Sequence, residues 1–266
     1  MKYFVLLFAY ALSASAEAPP RIPAPLYTPS SVVNAANYKA GPLAPNTIGT
    51  LFGRDLAFVT RSLASEDLFN GTLPTTLLGT GVRLLINRTL AFLYFVSPSQ
   101  VNFLVPSTLA PGPVNIELSL DGRYGEAVRV QLAEFSPALF PLDPETVLAT
   151  RIDGSTITYE RPARPGEVII LYATGLGATR PRLPAGQIPT GVAWLDKLAD
   201  FRVTLNGETL DRADLLYAGA APGFAGLYQI NLRLPDNTGR NPELRIGFKE
   251  VMSPAEARLP VERGNP

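Results

Sequence analysis

The sequence predicts an all-β chain folded as two tandem immunoglobulin-like β-sandwich domains, and three observations carry that prediction. The phrase "QVNFLVP", which begins at Gln100, returns 129 residues later as "QINLRLP", which begins at Gln229. The 26 prolines are about twice the usual ~5% share, and the 17% of charged residues fall below a typical ~25%. Frequent breakers with few charges suit short strands and turns better than helices. No long stretch has an apolar period of 3.6; residues 195–201 suggest one short helical turn at most.

Taken in order, the chain opens with Lys2, the apolar run "YFVLLFAYAL" and the small residues "SASA". Residues 1–16 therefore read as a secretory signal peptide, removed before Glu17. The apolar run is far shorter than the ~20 residues that span a bilayer, so no transmembrane segment is expected after cleavage. Residues 17–30, "EAPPRIPAPLYTPS", hold five prolines and read as an extended, polyproline-like spacer. Two sandwiches follow, at residues 31–140 and 141–264, each about the ~100 residues such a fold takes.

The repeated phrase shows how each sandwich is built. Val101, Phe103 and Val105 alternate with polar or outward positions, as Ile230, Leu232 and Leu234 do in the second copy. A period of two is a strand with one buried face. A register slip of one residue would turn all three large side chains to water, each at ~1.5–3 kcal/mol. The flanks repeat in the same order: Pro45 with Pro165, Phe52 with Tyr172, Leu56 with Leu176, Asn87 with Asn206, and Tyr94 with Tyr217. Asp153-Gly154, between two β-prone runs, predicts a hairpin of residues 146–152 and 155–159 that bridges the sandwiches. Leu104 stands where the second copy has Arg233, on the outward face, and predicts that this face of copy one is covered by the other domain.

Composition excludes much chemistry. There is no cysteine, hence no disulfide, no lipidated anchor and no thiolate metal site. There is no histidine, hence no Ser-His-Asp arrangement and no His-ligated zinc or iron. Basic and acidic residues number 23 each, so no nucleic-acid footprint is visible. "TGLGAT", at residues 174–179, lacks the third glycine and the βαβ frame of a dinucleotide loop and reads as a turn. The carboxylate pairs Asp211 and Asp214, and Asp121 and Glu126, lie in polar turns and read as solvated surface. No catalytic residue, metal ligand or cofactor site is assigned; calcium at the loops 120–126 and 235–241 matches no known ligand spacing.

The phrases "SVVNAANY", "LFGRDLA", "LPTTLLGTGVRLLIN", "YATGLG" and "APGFAGLYQINLRLP" resemble a family of C-terminal domains of secreted acidobacterial proteins, over about residues 31–261. "LFGRDL" is also similar to the opening strand of IPT/TIG immunoglobulin-like domains. The resemblance implies an exported module and brings no catalytic residues with it.

The expectation is a secreted, periplasmic or extracellular, non-enzymatic interaction or structural module. Its partner is an unknown protein or polysaccharide of the cell envelope or matrix. The alternatives are a carbohydrate-binding module and a carboxylate-dependent hydrolase. Trp194, Phe224 and Tyr228 are the candidate surface-binding residues, since an exposed aromatic ring stacks on a sugar. Two of them have a plainer reading. Trp194 suits a half-buried edge position, and Phe224 suits a core plug closing the loop 218–226, which carries six residues more than its counterpart in copy one.

Overall fold

The computed structural model describes residues 23–255 and 257–262; the expected signal peptide and the first part of the spacer lie outside the described residues. Those residues form antiparallel sheets with four short 3₁₀ turns and no α-helix. The turn expected within 195–201 is one of these, Leu198–Asp200.

In the first sandwich one sheet runs in the order Val32–Asn34, Ile48–Phe52, Gln100–Leu104, Phe92–Val96, Arg61–Ser62. It faces a second sheet of Val128–Leu132, Gly112–Leu120, Val82–Ile86 and Thr89–Leu90. In the second sandwich the large sheet runs Ala138–Leu139, Val168–Thr174, Tyr228–Arg233, Leu215–Ala220, Trp194–Leu195, Thr179–Arg180. Its partner sheet is Glu208–Thr209, Phe201–Leu205, Leu244–Phe248 and Val251–Met252. Each sandwich encloses its own apolar core, one drawn from residues 32–132 and the other from 139–261.

The twin phrases occupy the same place. Each is the third strand of its sheet, beside Ile48–Phe52 or Val168–Thr174, and the registers match residue for residue: Leu51 pairs with Val101 and Phe52 with Gln100, while Leu171 pairs with Ile230 and Tyr172 with Gln229. Val101, Phe103, Val105, Ile230, Leu232 and Leu234 are all fully buried. The polar positions are kept for a physical reason too. Gln100 Nε2 donates to Asn102 Oδ1 at 2.8 Å, and Gln229 Nε2 donates to Asn231 Oδ1 at 2.8 Å, so each outer face carries the same amide pair. Asn87 and Asn206 both sit at positive φ, where Asn is tolerated, and accept a backbone N–H from Asn115 (2.8 Å) and Glu243 (2.9 Å).

Several expectations are corrected. Tyr94 is not the counterpart of Tyr217: each hairpin carries a bulge, between Leu93 and Phe95 and between Leu215 and Tyr217, and the pairing of Phe95 with Asn102 and of Tyr217 with Asn231 makes Phe95 the counterpart. A bulge adds an unpaired residue that sequence alignment counts as paired. The Asp153-Gly154 turn closes, with Gly154 N–H on Arg151 O at 3.0 Å, but its first arm, Ala149–Arg151, joins the large sheet of sandwich two. The second arm makes only a single bridge, Thr150 with Thr156, so the hairpin does not link the two sandwiches. Strand Ala138–Leu139 already belongs to sandwich two, ahead of the expected boundary at 141. The described end of the spacer is no free stalk: Leu26 exchanges both backbone hydrogen bonds with Arg54, and Tyr27 packs against the first core while its hydroxyl accepts from Leu118 N–H at 2.8 Å.

Candidate functional site

Leu104 lies against the other domain, as its outward position predicted. It is 1% exposed and packs with Leu73 and with Ala225 of sandwich two. Around this small apolar seal the two sandwiches exchange hydrogen bonds. The N–H of Ile48 donates to Thr174 Oγ1 (2.9 Å), which donates to the carbonyl of Gly226 (2.8 Å), and the Tyr94 hydroxyl donates to the carbonyl of Ala225. Burial pushes the Tyr94 phenol well above its ordinary range, which keeps it a neutral donor. At the far side Leu73 N–H donates to Gly186 O (2.9 Å), and Ile188 N–H to Gly71 O (2.8 Å). The outer face of the first sandwich's sheet therefore meets one end of the outer face of the second sandwich's large sheet.

A groove of about 400 Å³ opens at that corner. Its floor is Ile48, Asn102 and Tyr94 of sandwich one. One wall is Tyr38, carried on the turn after strand Val32–Asn34; the other is Phe224 and Leu227, with Phe140 at the end. Tyr38 is 58% exposed and held by its neighbour Phe52, ring centroids 5.9 Å apart. Asn102 Oδ1 accepts from both Gln100 Nε2 (2.8 Å) and Thr50 Oγ1 (3.1 Å), so Asn102 Nδ2 is left to donate outward. No carboxylate, lysine or arginine lines the groove. The arrangement offers apolar ring faces and amide groups without charge.

The three candidate residues fare differently. Phe224 is 61% exposed and forms a groove wall; the plug expected of it is supplied by its neighbour Ala225, fully buried against Leu104. Gly226, at φ +72°, permits this, since a Cβ there would lie 2.3 Å from Leu104 Cδ1. Trp194 is 39% exposed on the strand next to the sheet's edge, its ring set edge-on to Tyr217 at 4.8 Å. It stands outside the groove. Tyr228 is not a surface residue: it is 2% exposed in the second core, and its hydroxyl donates to the carbonyl of Gly177. Its parity with Ile230, Leu232 and Leu234 was the available signal, because residues two apart on a strand share a face. Tyr38, Tyr94, Asn102 and Phe140 were missed, because only the docking of two domains brings them together.

Two other hollows flank the same turn. One of about 430 Å³ is walled by Pro141, Pro144 and Pro254, and its Asp143 is engaged by the N–H groups of Glu145 and Thr146. The other, about 810 Å³, mixes Lys197, Lys249, Asp200 and Glu250, and its Phe135 and Phe248 rings are stacked on each other at 3.9 Å. The first shares the Tyr38 ring with the groove but has no second open ring facing it, and the second has its two rings closed on each other. Among the described residues no three acidic side chains converge as a metal site would require, and no helix is long and apolar enough to cross a membrane. Asp211 caps a short turn by accepting from Ala213 N–H (2.9 Å).

No family model and no curated protein matches the chain. Among solved structures it is similar to the surface glycan-binding protein SGBP-B of a Bacteroides ovatus mixed-linkage glucan utilization locus, determined with a mixed-linkage heptasaccharide (11% identity, TM-score 0.34, 83% of this chain and 43% of that one). It is similar also to PbSGBP-B of Prevotella bryantii (10% identity, TM-score 0.26, 89% and 42%) and to domains 5-6 of the S-layer protein SbsC (12% identity, TM-score 0.30, 91% and 100%). The chain spans less than half the length of both glycan-binding proteins. Likenesses this distant carry no argument about ligand or activity.

Proposed function

We propose that the protein is a non-catalytic binding module of the cell exterior whose ligand is a neutral polysaccharide, taken in the groove where the two sandwiches meet. The observation that carries this reading is the lining itself: Tyr38, Tyr94, Phe140 and Phe224 surround Asn102, and no charged side chain is present. A pyranose ring has an apolar face of axial C–H groups and a rim of hydroxyls. Open aromatic faces match the first, and the outward Asn102 Nδ2 donor matches the second. The absence of carboxylates from the lining speaks against glycoside cleavage there, since that chemistry takes two of them about 5–9.5 Å apart. The reading of residues 1–16 as a secretory signal fits, as does the resemblance of the chain's phrases to secreted acidobacterial modules.

The test is depletion of the mature protein by insoluble cellulose, xylan, mannan and chitin, with native gels cast with soluble polysaccharides alongside. We expect retention by at least one neutral glycan and about a tenfold loss in Phe224→Ala and in Tyr38→Ala, with thermal melts unchanged because both rings are exposed. Binding to none of the panel, or binding indifferent to both substitutions, would remove the reading.

A further inference from the structure

The outer face of sandwich two continues the groove, and its side chains repeat the groove's chemistry. Residues directly opposite on neighbouring strands share a face. Leu139 and Ala173 are paired and buried, so Phe140 and Tyr172, one step along and joined by Phe140 N–H on Tyr172 O (2.9 Å), both face outward. From Tyr172 the register runs across the sheet to Gln229, Gly219, Trp194 and Arg180. The adjacent row holds Ile170, Asn231 and Tyr217.

Gly219 is what opens this face. A Cβ there would lie 2.5 Å from the Tyr217 hydroxyl, so only glycine lets the Tyr217 side chain lie across the strand. That hydroxyl is anchored on the carbonyls of Ala220 (2.8 Å) and Ala193 (3.3 Å), which fixes the ring beside Trp194. Gln229 Nε2 is spent on Asn231 Oδ1, leaving Gln229 Oε1 to accept and Asn231 Nδ2 to donate outward, as Gln100 and Asn102 do in sandwich one. Between Phe140 and Trp194 these rows hold no charged side chain; the charge of Arg180, at the far end, is answered by Asp196.

We infer that the groove is the first part of an extended site, and that an equatorially substituted β-1,4-linked glycan leaves it across Tyr172, Gln229 and Tyr217 to end on Trp194. This rests on the reading of the groove given above. Continuity argues for one long ligand, because Phe140 belongs to both surfaces. Three strand spacings separate the strand of Tyr172 from that of Trp194, about 14 Å at ~4.8 Å each, the span of a few sugars. An extended all-equatorial chain keeps its ring faces available along such a row, whereas a coiled axial-linked chain turns them away.

The experiment is titration calorimetry with cellobiose and cellohexaose on the wild-type protein, Phe224→Ala and Trp194→Ala. The expected result is a gain of at least tenfold in affinity from two sugars to six. Trp194→Ala should abolish most of that gain and leave cellobiose binding within twofold, while Phe224→Ala weakens both ligands. Equal affinities for the two lengths, or a Trp194→Ala protein that keeps the full gain, overturns the extended site and leaves the groove standing. Failure of both sugars to bind overturns the extended β-1,4-glucan site, while the groove reading falls only if the whole polysaccharide panel also fails. Trp194 is partly exposed on the outer face of the sheet, and an unchanged thermal melt of Trp194→Ala separates lost contact from lost fold.

Discussion

Tyr228 shows how much one residue's parity decides. It precedes Gln229 on the repeated strand, points inward with Ile230 and Leu232, and buries its ring where burial drives the phenol's pKa well above the ordinary value. Its hydroxyl must then find a partner inside, and the Gly177 carbonyl supplies it. Tyr228→Phe keeps the ring and removes the donor, so it should cost about 1–2 kcal/mol, read as a lower urea midpoint at unchanged slope. Tyr228→Ala adds a cavity and should cost about 3–5 kcal/mol. A Phe variant as stable as the parent would mean that the Gly177 carbonyl is satisfied without it. The burial of Tyr228 was legible from alternation, whereas the exposure of Phe224 was not: it lies in a loop, where no period constrains it.

Among elements, the crossing from strand Arg61–Ser62 to the 69–73 loop shows how a segment with little regular structure is held in place. Asp67 gathers it, accepting from Ala64 N–H (2.9 Å), Leu78 N–H (3.4 Å) and the Arg61 guanidinium (3.0 Å). Burial would raise the Asp67 carboxyl, but these donors outweigh it and hold the group below the usual carboxylate range. A depressed folded pKa gives stability that is present above the unfolded value and lost as pH falls through the folded one. Asp67→Asn should therefore be less stable than the parent at pH 7, and the gap should begin to narrow near the unfolded aspartate value, about pH 4, and close as pH falls through the lower folded value. Urea midpoints across that range check it; a gap independent of pH would assign the loss to packing instead of charge. The alternating strands of both copies were readable because a buried face imposes a period. This latch, the bulges and the single-bridge arm after Asp153-Gly154 depend on partners distant in sequence, and no local pattern marks them.

For the whole molecule, the docking of the sandwiches is what creates the candidate site. Leu104, Leu73 and Ala225 form the seal, and the Ile48–Thr174–Gly226 relay sets the angle beside it. Leu104→Arg would place a charge in that seal at a cost of several kcal/mol unless the domains part. We expect the variant to melt in two calorimetric transitions where the parent melts in one, and its X-ray scattering to report a longer particle. One unchanged transition together with unchanged scattering would show that the seal does not hold the domains together. Loss of glycan retention should accompany the separation, since Phe224 and Tyr38 stand on opposite domains.

By itself the sequence determined two sandwiches with twin central strands, and it pointed from Leu104 to a covered face. Burial of one side of a strand writes its period into the chain, and duplication writes it twice. Only the tertiary structure decided where the covered face ends, which aromatic rings remain open at its edge, and that Tyr38, Asn102, Phe140 and Phe224 share one groove. Side chains so far apart in sequence meet through the packing of one domain on another, and that packing leaves no period for a reader of the chain to find.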